Sequence, residues 1–106
     1  VIYAVVLREH PTIVKLGRST RWKNRRKNYD NWNHAPGTGI AAGRVYTLND
    51  EFVDLTAVEG ACLEAMTLRF PLFRGNEWFR ASLEEAQRTI EGILSDGALA
   101  YIGDDI

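Results

Sequence analysis

Two runs of β-branched and aromatic residues open the chain, Ile2 to Leu7 and Thr12 to Leu16, and only Arg8, Glu9, His10 and Pro11 separate them. Runs of that composition favour strands, and so short a connection reads as the turn of an antiparallel β-hairpin. Whatever follows has to build on that hairpin. Ser19 or Thr20 can cap a helix reaching about Trp32, in which Trp22, Arg25, Tyr29 and Trp32 recur at spacings of three, four and three and share one face. From Asn33 to Gly43 the chain holds Pro36, Gly37, Gly39 and Gly43, a loop composition, and Arg44 to Leu48 then predicts a third strand. A long helix starts near Asp54 or Thr56, buries Val58, Cys62 and Met66, and is stopped by Pro71. Ser82 with Glu85 three residues later spells a capping box, and Leu83, Ala86, Ile90, Ile93 and Leu94 give the last helix an apolar stripe up to Gly97. This order predicts an α/β (α+β) domain with a small, mainly antiparallel three-stranded sheet flanked by helices. Gly37, Gly39 and Gly43 do not make a dinucleotide loop, because their spacing is wrong and they precede a strand instead of opening a helix.

Residues 1–106 read as one small globular domain, 45% hydrophobic and 25% charged. That apolar content excludes disorder, and no apolar run approaches the roughly 20 residues of a membrane-spanning helix, so no membrane partner is expected. Cys62 stands alone, which excludes a disulfide framework, and His10 and His34 are too few for a structural zinc cluster. The composition reads as intracellular and cytoplasmic. No secretory leader is visible, and the start at Val1 instead of Met predicts a piece of a longer protein.

Charge is unevenly spread. Up to Arg44 there are nine Lys/Arg against two acids, and from Val45 onward four against twelve. No Asp or Glu interrupts the stretch from His10 to Tyr29, which carries Lys15, Arg18, Arg21, Lys23, Arg25, Arg26 and Lys27. A stripe of one sign attracts polyanions such as a phosphate backbone; a solvated basic helix is the structural alternative.

Tyr3 shares a strand face with Val5 and Leu7, and hairpin pairing sets it opposite the stretch from Lys15 to Gly17. A neighbouring cation favours the phenolate, so Tyr3 is expected to lose its proton more readily than a free tyrosine and to serve as a general base; plain strand packing is the alternative. Arg25, on the aromatic helix face, is expected to point inward, either to grip a phosphate or to stack on the rings. Arg18, Arg21, Lys23, Arg26 and Lys27 are candidates for sequence-independent contacts to a nucleic-acid backbone. Glu59 lies among Ala57, Val58, Ala61 and Cys62, so its carboxylate needs a partner: a Mg²⁺ ion completed by phosphate and water, or the helix N-terminus through a capping box with Thr56. Glu64, rotated around the helix, is the reserve. Cys62 reads as a core thiol and His34 as a loop histidine.

With these residues in place, the pattern resembles the GIY-YIG endonuclease superfamily, and more closely its phage-type branch, whose second motif is KIG-like. Val1-Ile2-Tyr3 stands at GIY, Lys15-Leu16-Gly17 at the second motif, Arg25 at the family arginine, Tyr29 at a position commonly histidine or tyrosine, and Glu59 at the metal-binding glutamate. Gly75-Asn76-Glu77-Trp78-Phe79 resembles the closing glycine-then-EWF signature. Val1 replaces the first glycine, Lys15 the second-motif tyrosine, and Leu63 stands where relatives often have a histidine. Tyr101-Ile102-Gly103 matches YIG literally but lies too far along the chain to be the hairpin's second strand, and is expected to pack or fray.

The resemblance implies a domain that hydrolyses DNA phosphodiesters with Mg²⁺ or Mn²⁺, in a bacterial or phage context and fused to a separate DNA-reading module. It implies catalytic roles for Tyr3 (general base), Glu59 (metal ligand), Arg25 (phosphate), and Lys15 and Tyr29 (orientation), with Glu77 and Trp78 mainly structural. Two other readings stand beside it: a nuclease-like nucleic-acid-binding module without turnover, and a protein-interaction domain using its basic and acidic halves.

Overall fold

A computed structural model describes residues 1–31 and 39–106. Its elements follow in the order β1 (Ile2–Leu7), β2 (Val14–Arg18), α1 (Trp22–Asn31), β3 (Ile40–Leu48), α2 (Leu55–Arg69), β4 (Leu72–Arg74), β5 (Trp78–Phe79), α3 (Leu83–Asp96) and β6 (Tyr101–Asp105). The expected helices are present, and the hairpin pairs Tyr3 with Gly17 and Val5 with Lys15. The sheet is larger than expected. It has six antiparallel strands, in the order β4-β5-β2-β1-β3-β6.

The additional strands are short or weak in propensity and exist because an edge is there to receive them. β5 adds to β2 through Val14–Phe79 and Lys15–Trp78, and β6 adds to β3 from Arg44–Asp105 to Leu48–Tyr101. Tyr101-Ile102-Gly103 therefore forms an edge strand. Gly43, expected in a loop, lies inside β3 opposite Val5, where a Cβ would come 2.9 Å from the Ala4 carbonyl oxygen. A glycine lets the two strands close.

Alternation along β1 sends side chains to two cores. Ile2, Ala4 and Val6 join Leu16 of β2, Cys62 and Met66 of α2, and Ala86, Ile90 and Leu94 of α3. Tyr3, Val5 and Leu7 join Val45, Trp78 and Tyr29 of α1 on the other face. Helices thus cover both faces of the sheet. Asp54 caps α2 by accepting from the Ala57 amide, which removes the alternative Thr56–Glu59 cap and leaves the Glu59 carboxylate for another partner. The Ser82–Glu85 capping box is present at α3, and the Tyr46 hydroxyl donates to Glu91 at 2.7 Å, tying β3 to that helix. Among the described residues no helix is long and apolar enough to cross a membrane.

Candidate active site

β5 pairs with β2 only at Val14 and Lys15. Beyond that point the end of β2 opens into a cleft reached by both α1 and α2. Its floor is set by the hairpin register: Tyr3 lies across Gly17, and a Cβ on Gly17 would collide with the Tyr3 ring. The absence of a side chain at Gly17 is what lets that ring lie there. Trp22 packs against the ring at 4.7 Å between centroids, and the Tyr3 and Tyr29 hydroxyls share a 2.8 Å hydrogen bond.

Lys15 enters the same cleft, on the Tyr3 face. Its ammonium stands 5.7 Å from the ring centroids of both Tyr3 and Tyr29 and 5.8 Å from that of Trp78, and donates to Glu77 Oε2 at 3.1 Å. The lysine side chain is only 12% exposed, so Glu77 compensates a charge with little water around it. Glu59 reaches the cleft from α2, with its Oε1 3.2 Å from Arg18 Nε. Arg25 completes the lining from α1. Among the candidates, Tyr3, Lys15, Arg18, Arg25 and Glu59 thus meet in one cleft, and Tyr29 stands directly behind Tyr3.

Two expectations need correction. Tyr3 does not ionise more easily than a free tyrosine: burial and the bond to Tyr29 raise its pKa well above the ordinary value, outweighing the opposing pull of Lys15 and Arg25. Arg25 is not buried with the rings of α1. Trp22 and buried Tyr29 occupy the sheet-facing side of α1, and Arg25 is exposed at the cleft rim. Glu77, expected to be mainly structural, lines the cleft with its carboxylate, while its backbone carbonyl accepts from the Leu16 amide at 3.0 Å. The signal that points to it is chemical: a lysine on an aromatic strand face needs a carboxylate.

Burial also raises the Glu59 pKa, with Arg18 opposing, so its negative charge is costly where it stands. Cys62 lies fully in the core with its thiol pushed up to about 11, which excludes a nucleophilic role near neutrality. Glu64, Arg21, Lys23, Arg26 and Lys27 are exposed. Trp32 and His34 lie outside the described residues.

Among the described residues no group of three or more His, Cys, Asp or Glu side chains is placed to hold a metal. The cleft instead offers Glu59 and Glu77. Each is paired with a cation, Glu59 with Arg18 and Glu77 with Lys15, so a hard divalent ion held there would have to displace one of these partners and draw the rest of its shell from substrate phosphate and water. Comparison of the chain with protein-family models, with curated proteins and with solved structures finds no match to any of them.

Proposed function

We propose that residues 1–106 form a metal-dependent DNA endonuclease domain of the GIY-YIG type, close to its phage-type branch. The observation that carries this reading is the convergence of Tyr3, Lys15, Arg25 and Glu59, the residues aligned with the family's motifs, on one cleft from β1, β2, α1 and α2, with Arg18 beside them. A divalent ion held by Glu59 would supply positive charge to the phosphate oxygens and leaving group of a phosphodiester. Arg25, at the rim, is placed to hold the phosphate, and its exposure keeps it available to a polymer too large to enter. The Tyr3 hydroxyl bonds to Tyr29 and lines the cleft, so it can accept a hydrogen bond from the attacking water and orient it. Lys15, fixed by Glu77 and three rings, would orient substrate or water beside Tyr3.

The test is nicking of supercoiled plasmid by the purified protein with Mg²⁺ or Mn²⁺, beside EDTA. Tyr3→Phe and Glu59→Ala should each abolish metal-dependent nicking while retaining folding and salt-sensitive DNA binding. Retained nicking in either variant refutes the role given to that residue. The second reading, a binding module without turnover, is favoured by one observation, the burial that keeps Tyr3 a phenol. It predicts DNA binding of the same salt sensitivity with no nicking in any metal.

A further inference from the structure

Arg18 stands between two pockets. One is the cleft, where its Nε lies 3.2 Å from Glu59 Oε1. The other adjoins it and is lined by Arg18, Arg21, Arg25, Asn24 and Asn28 with Ser19 and Thr20, a wall with three guanidiniums and, among the described residues, no carboxylate. Its chemistry is that of an anion site, and bidentate arginine recognition suits a phosphate. The two partners of the ion pair differ in freedom: the Arg18 side chain is 45% exposed, that of Glu59 only 13%. If the pair opens, the arginine is the side that moves.

A divalent cation on Glu59 and a guanidinium on the same carboxylate repel each other at such separations, so the two compete. Resting on the nuclease reading above, we propose that Arg18 is an exchangeable counter-ion, which holds Glu59 until a divalent cation takes that carboxylate and then turns to a substrate phosphate in the Arg21–Arg25 pocket. Arg18 is in this sense a positioning residue. The exchange couples the two ligands: a phosphate that draws Arg18 off Glu59 tightens cation binding, and a cation that frees Arg18 tightens phosphate binding by the same factor.

The exchange predicts effects of opposite sign from one substitution, which a merely structural role would not produce. Mn²⁺ alone is titrated into the wild type, Arg18→Met, Arg18→Ala and Glu59→Gln, with free Mn²⁺ followed by electron paramagnetic resonance; a labelled duplex oligonucleotide is titrated separately in EDTA by fluorescence anisotropy. Removing the competing cation should tighten Mn²⁺ binding about two- to fivefold in both Arg18 variants, the worth of a partly exposed ion pair. The same variants should bind the duplex more weakly, with a salt slope smaller by about one. Unchanged or weaker Mn²⁺ binding in a folded Arg18 variant overturns the exchange while leaving the nuclease reading intact. Mn²⁺ binding that survives unaltered in Glu59→Gln, or is absent from all four proteins, overturns the metal site and the exchange together.

Discussion

Tyr3 sits where two demands conflict. In the role proposed for it Tyr3 must reach the cleft to orient water, and to be held in register over Gly17 it must lie under Trp22 and against Tyr29, which removes solvent from its hydroxyl. Desolvation wins, and Tyr3 is protonated near neutrality. A base that works as the minor phenolate has a definite signature. Below its pKa the phenolate fraction grows about tenfold per pH unit, so the single-turnover cleavage rate should rise with that slope through neutral and mildly alkaline pH without a plateau. Tyr29→Phe removes the hydroxyl that helps Tyr3 keep its proton, so the Tyr3 pKa should fall toward its ordinary value and the rising limb should move to lower pH. Ultraviolet titration of tyrosinate, read beside the rate profile, checks both shifts. A pH-independent rate would show that Tyr3 acts only by hydrogen bonding as a neutral phenol.

Elements carrying their own local signals are legible in the sequence; elements that depend on a distant partner are not. α3 announces itself with Ser82, Glu85 and an apolar stripe, and β1 and β2 with dense strand formers around a short turn. β4 and β5 are three and two residues long, too short for any periodicity to register. β6 carries Gly103, Asp104 and Asp105, poor strand formers, and is a strand because β3 offers an open edge, with Arg44 there to pair with Asp105 at 2.8 Å. The cleft divides the same way. Tyr3 beside Lys15 follows from hairpin register, whereas Lys15 with Glu77 joins residues 62 apart and only the folded chain brings them together. Arg25 is more exposed than its spacing suggests because helical spacing ranks faces by their rings, and a long guanidinium on such a face can still reach solvent. Independence of these levels is testable at α3, which backs the sheet face opposite α1. Ser82→Ala should cost about 1 kcal/mol of stability by removing the cap, measured by urea unfolding, with the plasmid-nicking rate unchanged.

At the scale of the whole molecule the net charge of −1 conceals a strong polarity, because the basic first half supplies the cleft rim and the exposed face of α1 while most acids lie on later elements. Such an arrangement draws a polyanion toward the cleft and repels it elsewhere. The basic residues then fall into two classes that the sequence alone does not separate. Arg25 lines the cleft, whereas Arg26 and Lys27 are exposed on the same helix and line neither the cleft nor the adjoining pocket. Every backbone phosphate that a protein ceases to neutralise lowers the slope of log affinity against log salt by about 0.9, so Arg26→Gln with Lys27→Gln should flatten it by up to about two units and weaken binding for all DNA sequences alike. At saturating DNA that double variant should cleave nearly as fast as the wild type. Arg25→Ala should do the reverse, lowering the saturated rate by about 10²-fold or more with a smaller change in affinity, as expected for a group that stabilises charge developing in the transition state. Anisotropy across a salt series and single-turnover rates at saturation separate the two effects. Equal losses of saturated rate from Arg25 and from the Arg26–Lys27 pair would mean that the helix acts as one diffuse electrostatic surface, and that the cleft position of Arg25 confers no chemistry of its own.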